Sequence, residues 1–208
     1  MKRAANAVAP GGILASCAFS VVAGRAGIAS AQQGAGSLPR IEVTSKGGLF
    51  VIDATLIAPV TLAQAWEVLT DFDAMSQYVP DLESSRVIAC NGARLQVEQS
   101  GVMRWGLLSH RFQTVREIEL SPLSQVSSRV VSGTIPRADT LTRLAAVESG
   151  TEIRHHIELV SPSWLPDFAL NALLRNETRV QFEALSAEML RRRDPATGRE
   201  HNPNLPSR

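Results

Sequence analysis

The sequence predicts an α+β fold, in which a curved antiparallel β-sheet wraps around a long C-terminal helix and short helices follow the first strand. Three observations predict it. From Leu82 to Val160 the chain is a succession of alternating segments joined by turn residues, the pattern of an antiparallel meander. After Val160 the apolar period changes from that of a strand to that of a helix. Ahead of the meander stands a capped helix that breaks into a short second piece. Strands in one run, with helices segregated from them, form the α+β layer solution.

The folded part opens with "IEVTSKGGLFVIDATLIAP". It reads as a strand interrupted at Gly47-Gly48, where the pair permits a turn or a bulge. Alternation sets Phe50, Ile52, Ala54 and Leu56 on one face. Thr61 precedes Gln64 by three residues, a capping-box pattern that starts a helix. On that helix Leu62, Ala65, Trp66 and Leu69 share a face. Next, Phe72, Met75, Tyr78 and Val79 recur at about one-turn spacing until Pro80 stops the segment. This is much apolar surface for a piece too short to be stable alone. Asp71 and Asp73 are expected to cap it.

In the meander, "RVIAC" turns at Asn91-Gly92, a strong hairpin marker, into "ARLQVEQSGVMRW". There Leu95, Val97, Gly101, Met103 and Trp105 fall on one side. "LSHRFQTVREIEL" puts Leu108, His110, Phe112, Thr114 and Ile118 together. "SQVSSRVVSG", "DTLTRLAAVESG" and "GTEIRHHIELV" supply three more strands, with Gly150 turning the last pair. His110, His155 and Arg143 are assigned to the concave side, and His156 to the opposite one.

In the final helix Ser163 is the expected cap, and Pro166 fits the first turn. Leu174, Phe182, Leu185 and Met189 lie near one stripe, with Arg175, Arg179 and Glu183 largely elsewhere. From Leu165 to Arg192 such a helix runs about 40 Å, enough to cross a small sheet. Where a curved sheet and a straight rod diverge, an apolar hollow is left between them.

At 208 residues and 44% hydrophobic content the chain holds one core, placed in a domain over 41–193. Residues 1–31 read as a signal peptide: Lys2 and Arg3, the apolar "GGILASCAFSVVAG", and small residues at Ala29 to Ala31. The apolar stretch is too short to span a bilayer. The alternative takes "LASC", Leu14 to Cys17, as a lipoprotein box with Cys17 acylated. Residues 32–40 form a Gly/Ser/Gln-rich linker, and the polar, Pro-rich tail 194–208 is expected to be disordered. If Cys17 leaves with the leader, Cys90 has no intramolecular partner and reads as a half-buried structural thiol.

A net charge of +1 argues against a nucleic-acid partner, which calls for a concentrated basic face. Arg191-Arg192-Arg193 complements the negative end of the helix dipole; a phosphate or lipid-headgroup contact, hence a peripheral membrane contact, is the alternative. His155 and His156 point to opposite faces of a strand, so no metal set forms there. No Ser-His-Asp arrangement, Gly-rich phosphate loop or Cys pair is visible, and no cofactor is expected. A histidine on an apolar face is more often a satisfied core residue than a catalytic one, and no residue is assigned as catalytic.

"IAPVTLAQAWEVLTDFDAMSQYVPDLESSRVI", "GTEIRHHIELVSPSWLP" and "LLRNETRVQFEALSAEML" together resemble the START-like helix-grip superfamily, also called the polyketide cyclase/dehydrase and lipid-transport superfamily. The resemblance spans roughly Ile41 to Arg192 and is nearest to the coenzyme Q-binding START-type branch. It implies that the helix after the first strand and its broken continuation close one end of a cavity beneath the long helix. Phe72, Met75 and Tyr78 then form a lid-like wall; the alternative is that they plug the open end of the sheet. The fold hosts carriers and enzymes alike.

These readings converge on an exported, periplasmic or secreted, carrier of a hydrophobic small molecule, a lipid or isoprenoid quinone. Tyr78, Met103, Trp105, Phe112, Leu174 and Phe182 are the expected wall, and His110, His155 or Arg143 orient the polar head. The runner-up is a polyketide cyclase/dehydrase-like enzyme in the same cavity, with His110 or His155 as general base. A third reading is an interaction module using a sheet edge or the Arg-rich helix end. The sequence leaves the oligomeric state open.

Overall fold

The computed structural model describes residues 38–105, 108–135, 137–161 and 167–193, with the side chains of Trp105, Leu108 and Asp167 excepted. The expected leader with Cys17, most of the linker, Ser163, Pro166 and the 194–208 tail lie outside the described residues.

Eight strands form one antiparallel sheet: β1 (Arg40–Lys46), β2 (Leu49–Ala58), β3 (Leu82–Asn91), β4 (Arg94–Trp105), β5 (Leu108–Ser121), β6 (Gln125–Gly133), β7 (Ala138–Val147) and β8 (Gly150–Val160). Their spatial order is β1-β2-β8-β7-β6-β5-β4-β3, so β3 through β8 run as a meander and β2 returns beside β8. Gly47 and Gly48, both at positive φ, form the turn of the β1–β2 hairpin, which settles turn over bulge. Gly150 also has positive φ, and a Cβ there would strike the Ala58 carbonyl where β8 passes the end of β2.

Between β2 and β3 come α1 (Leu62–Thr70) and a 3-10 helix (Phe72–Gln77). The capping box forms as the spacing predicts: the Gln64 amide donates to Thr61 Oγ1 at 3.3 Å, and the Thr61 amide donates to Gln64 Oε1 at 3.0 Å. The aspartates do other work than capping. Asp73 Oδ1 accepts from the Val87 amide at 2.7 Å, fastening the 3-10 helix to β3. Asp71 makes no side-chain cap and instead receives Arg192 at 2.7 Å. A carboxylate held by a guanidinium is a stronger arrangement than a cap on so short a helix. Cys90 is partly buried near the β3–β4 turn, beside the cluster around Phe72.

The long helix α2 (Asp167–Arg193) crosses the concave face. The curved sheet around one C-terminal helix is the helix-grip architecture that the sequence predicts. Its apolar interior divides into three clusters. Val43, Phe50 and Ile52 meet Ala169, Leu170 and Leu173 at the start of α2. Ala54, Leu56, Val68 and Ile153 pack with Phe182 and Met189 toward its end. Phe72 joins Leu95, Val97, Ile118 and Val126 in a third cluster that contains no residue of α2. Burial of this kind stabilises at about 25 cal/mol per Å². Trp66 packs against both the second and the third cluster and links them.

Candidate functional site

Between sheet and helix lies a cavity of about 330 Å³, within the roughly 300–1,000 Å³ range of small-molecule pockets. All three clusters contribute to its wall: Ile52 and Leu173 from the first, Ile153 and Phe182 from the second, Phe72, Ile118 and Val126 from the third. Met75, Val79 and Pro80, from the broken helical segment and the residues after it, line it too. The wall is chiefly apolar. Such a surface lowers its free energy by receiving an apolar guest.

The polar groups are concentrated. Inward positions of four neighbouring strands, β5, β6, β7 and β8, carry Arg116, Ser128, Thr140, Thr142 and His155, all lining the cavity. Arg116 Nη2 donates to Ser128 Oγ at 2.8 Å and to Thr140 Oγ1 at 3.4 Å, and these two hydroxyls lie 2.6 Å apart. Thr142 Oγ1 is 2.7 Å from His155 Nδ1. The His155 ring is tilted against Phe182, with centroids 5.5 Å apart. The result is a polar ladder on the sheet side of a chiefly apolar space.

Electrostatics follow from enclosure. Burial pushes the His155 imidazole down to about 4, and the positive charges of Arg116 and His156 act in the same direction. His155 is therefore neutral at physiological pH. Burial also lowers Arg116, to about 10, against a small opposing pull from Asp139, so its guanidinium stays charged. At the cavity edge Glu177 is raised by burial, with Arg104 opposing, and Asp81 is ion-paired with Arg104.

The expected site residues divide. Met103, Phe112, Leu174, Phe182 and His155 line the cavity. Tyr78 does not. A half-buried phenol needs a hydrogen-bond partner, and carbonyls left over at the end of α1 supply one. Its hydroxyl donates to the Val68 carbonyl at 3.0 Å, and the Asp71 carbonyl lies at 3.4 Å. Its ring sits 5.7 Å from the Arg192 guanidinium. Burial, with the Asp71 carboxylate, pushes Tyr78 up to about 12. Of the three residues expected to form a lid-like wall, Phe72 and Met75 line the cavity and Tyr78 does not.

Arg143 is exposed, because Thr142 and Leu144 are the inward residues of β7 and alternation turns Arg143 to the convex face. His110 pairs in register with Met103, yet it is not among the lining residues. Trp105 ends β4 opposite Leu108, and its side chain lies outside the described residues.

Arg116 is the residue that sequence reasoning missed. Alternation that places Phe112, Thr114 and Ile118 inward places Arg116 inward too, so the signal was present in the period. The Arg-rich helix end, by contrast, is taken up within the molecule. Arg191 and Arg192 both grip Glu188 at 2.7 Å, Arg192 reaches Asp71, and Arg193 donates to the Pro59 carbonyl at 2.8 Å. Among the described residues no helix is long and apolar enough to cross a membrane, and no three His, Cys, Asp or Glu side chains gather as a metal site requires.

Comparison with solved structures places this geometry. The aromatase/cyclase Zhui from Streptomyces sp. R1128 superposes with a TM-score of 0.62 at 15% identity, covering 73% of this chain and 99% of that one. A STAR-related lipid transfer protein fragment from Xanthomonas axonopodis gives 0.62 at 16% identity, covering 77% and 97%. A START superfamily protein from Mycobacterium smegmatis gives 0.60 at 10% identity, covering 68% and 97%. At such identities the likeness is one of fold. No curated protein matches the sequence. The family model described as polyketide cyclase / dehydrase and lipid transport matches residues 58–186, more than half of the chain. With its curved sheet closed over α2 and a hollow between them, this protein belongs to that family.

Proposed function

We propose that the protein is a carrier of a hydrophobic small molecule, held between α2 and the concave sheet, with a lipid or isoprenoid quinone as the ligand class. The observation that carries this reading is the chiefly apolar cavity between sheet and helix, with a hydrogen-bonded polar ladder on its sheet side. An apolar guest there stabilises the complex in proportion to the area it buries. The ladder gives its head group a fixed address. The coenzyme Q-binding branch and a lipid-transport role are consistent with that division into apolar wall and polar ladder.

The second reading, a cyclase/dehydrase-like enzyme, has His155 as its best general base. A histidine pushed down to about 4, with Nδ1 engaged by Thr142, is a weak base at neutral pH. That favours carriage over proton abstraction. Export completes the proposal: the charged start, apolar stretch and small residues within 1–31 support release to the periplasm or the medium, with acylation at Cys17 as the alternative.

The test is native mass spectrometry of the purified protein after incubation with extracted lipids. The carrier reading expects one adduct per chain, retained under gentle activation and lost when the protein is unfolded. Absence of any adduct across lipid and quinone classes contradicts it.

A further inference from the structure

We infer that the cavity is built for an amphiphile with an oxyanion head, and that Arg116 is the residue that receives it. This rests on the carrier reading and narrows it to a class of ligand.

The inference begins from an imbalance. A guanidinium has five N–H donors and no acceptor. Both hydrogen bonds of Arg116 leave from Nη2, to Ser128 and Thr140. Its Nε–H is buried and has no partner among the described residues. Among the described residues no carboxylate is ion-paired with it. Asp139, the acid that acts on it, is ion-paired with Arg137 at 2.8 Å. A buried cation without a counter-charge is costly and persists where something else supplies the charge.

The surroundings specify what that is. His155 is near enough for Arg116 to lower its basicity, and as a neutral ring it adds no second positive charge to be compensated. The hydroxyls of Ser128 and Thr140 hold the guanidinium in one orientation, which favours recognition of a planar or tetrahedral oxyanion. The cavity's other acids do not compete for Arg116. Asp81 is taken by Arg104, and burial and Arg104 are what act on Glu177. An alcohol or quinone carbonyl accepts a hydrogen bond but leaves the charge uncompensated. A carboxylate or phosphate does both.

The test uses a neutral fluorescent probe, N-phenyl-1-naphthylamine, displaced by dodecanoate, 1-dodecanol or dodecyl phosphate. Saturable probe binding establishes the carrier reading separately. Dodecanoate or dodecyl phosphate is then expected to displace the probe at about tenfold lower concentration than 1-dodecanol, or lower still. Whichever anion is stronger identifies the head as carboxylate or phosphate. In Arg116→Met this preference is expected to shrink to within about twofold while the probe still binds. Arg116→Gln, which retains hydrogen bonding, should lose the preference as well if charge is its source. Equal displacement by anion and alcohol in the parent protein, or a preference that survives both substitutions, overturns the inference and leaves the carrier reading standing. Failure of the probe to saturate removes both.

Discussion

The Tyr78 hydroxyl lies 3.0 Å from the Val68 carbonyl, and this bond turns an aromatic side chain away from the cavity and into the junction of α1 with α2. The residue is thereby structural. Tyr78→Phe removes the donor and leaves a carbonyl near the end of α1 with one partner fewer. The expected loss is about 1 kcal/mol in urea unfolding, with probe affinity unchanged. A change in affinity at unchanged stability would return Tyr78 to the ligand wall.

The His155 imidazole gives the fold a pH signature. Its value in the folded state, about 4, lies below the ordinary value of 6.5. The unfolded chain therefore binds the proton first, and stability falls as pH drops from about 6.5 toward 4, by up to about 1.4 kcal/mol per pH unit. His155→Gln removes this titration. Measured across that range, the unfolding free energy of the parent should fall relative to that of the variant as pH drops from about 6.5 toward 4, and the difference should be flat above pH 6.5. A constant difference would mean that His155 titrates normally in the fold.

The basic helix end yields a contrast between neighbours. Arg192 is largely buried, joins Glu188 to Asp71 and lies over Tyr78, whereas Arg191 is mostly exposed. Arg192→Ala strands two partly buried carboxylates and is expected to cost about 2–4 kcal/mol. Arg191→Ala, which removes a solvent-screened charge, should cost clearly less. Thermal or urea unfolding of the two variants checks the order, and equal costs would show that Arg192 is not the clasp between α2 and the α1 segment.

Much of this architecture is legible in the residues because each element carries a local cause. The Thr61–Gln64 spacing encodes a cap, Asn91-Gly92 a hairpin, and alternation from Leu82 onward a meander. The wall residues Met103, Phe112 and Phe182 follow from the same periods. What alternation does not reveal is the partner that a polar side chain finds. Tyr78 has the right spacing for a wall and is drawn off by carbonyls at the end of a helix ten residues back. Asp71 looks like a cap and is claimed by an arginine at the far end of the chain. Arg143 sits between Thr142 and Leu144, which take the inward positions of β7 and leave it exposed. Arg116 escaped notice for the opposite reason: a charge in an inward register conflicts with burial, and such conflicts are where function is to be sought.

The measurement closest to the central claim is probe stoichiometry with the cavity obstructed. Ala138 is buried on the cavity wall, and Ala138→Phe places a ring in the hollow; Leu174→Trp does so from the helix side. Titration of the parent protein with N-phenyl-1-naphthylamine should saturate at one probe per chain. Both obstructed variants, folded by circular dichroism, should lose that binding. If they bind the probe as the parent does, the ligand does not occupy the space beneath α2, and the carrier account is contradicted.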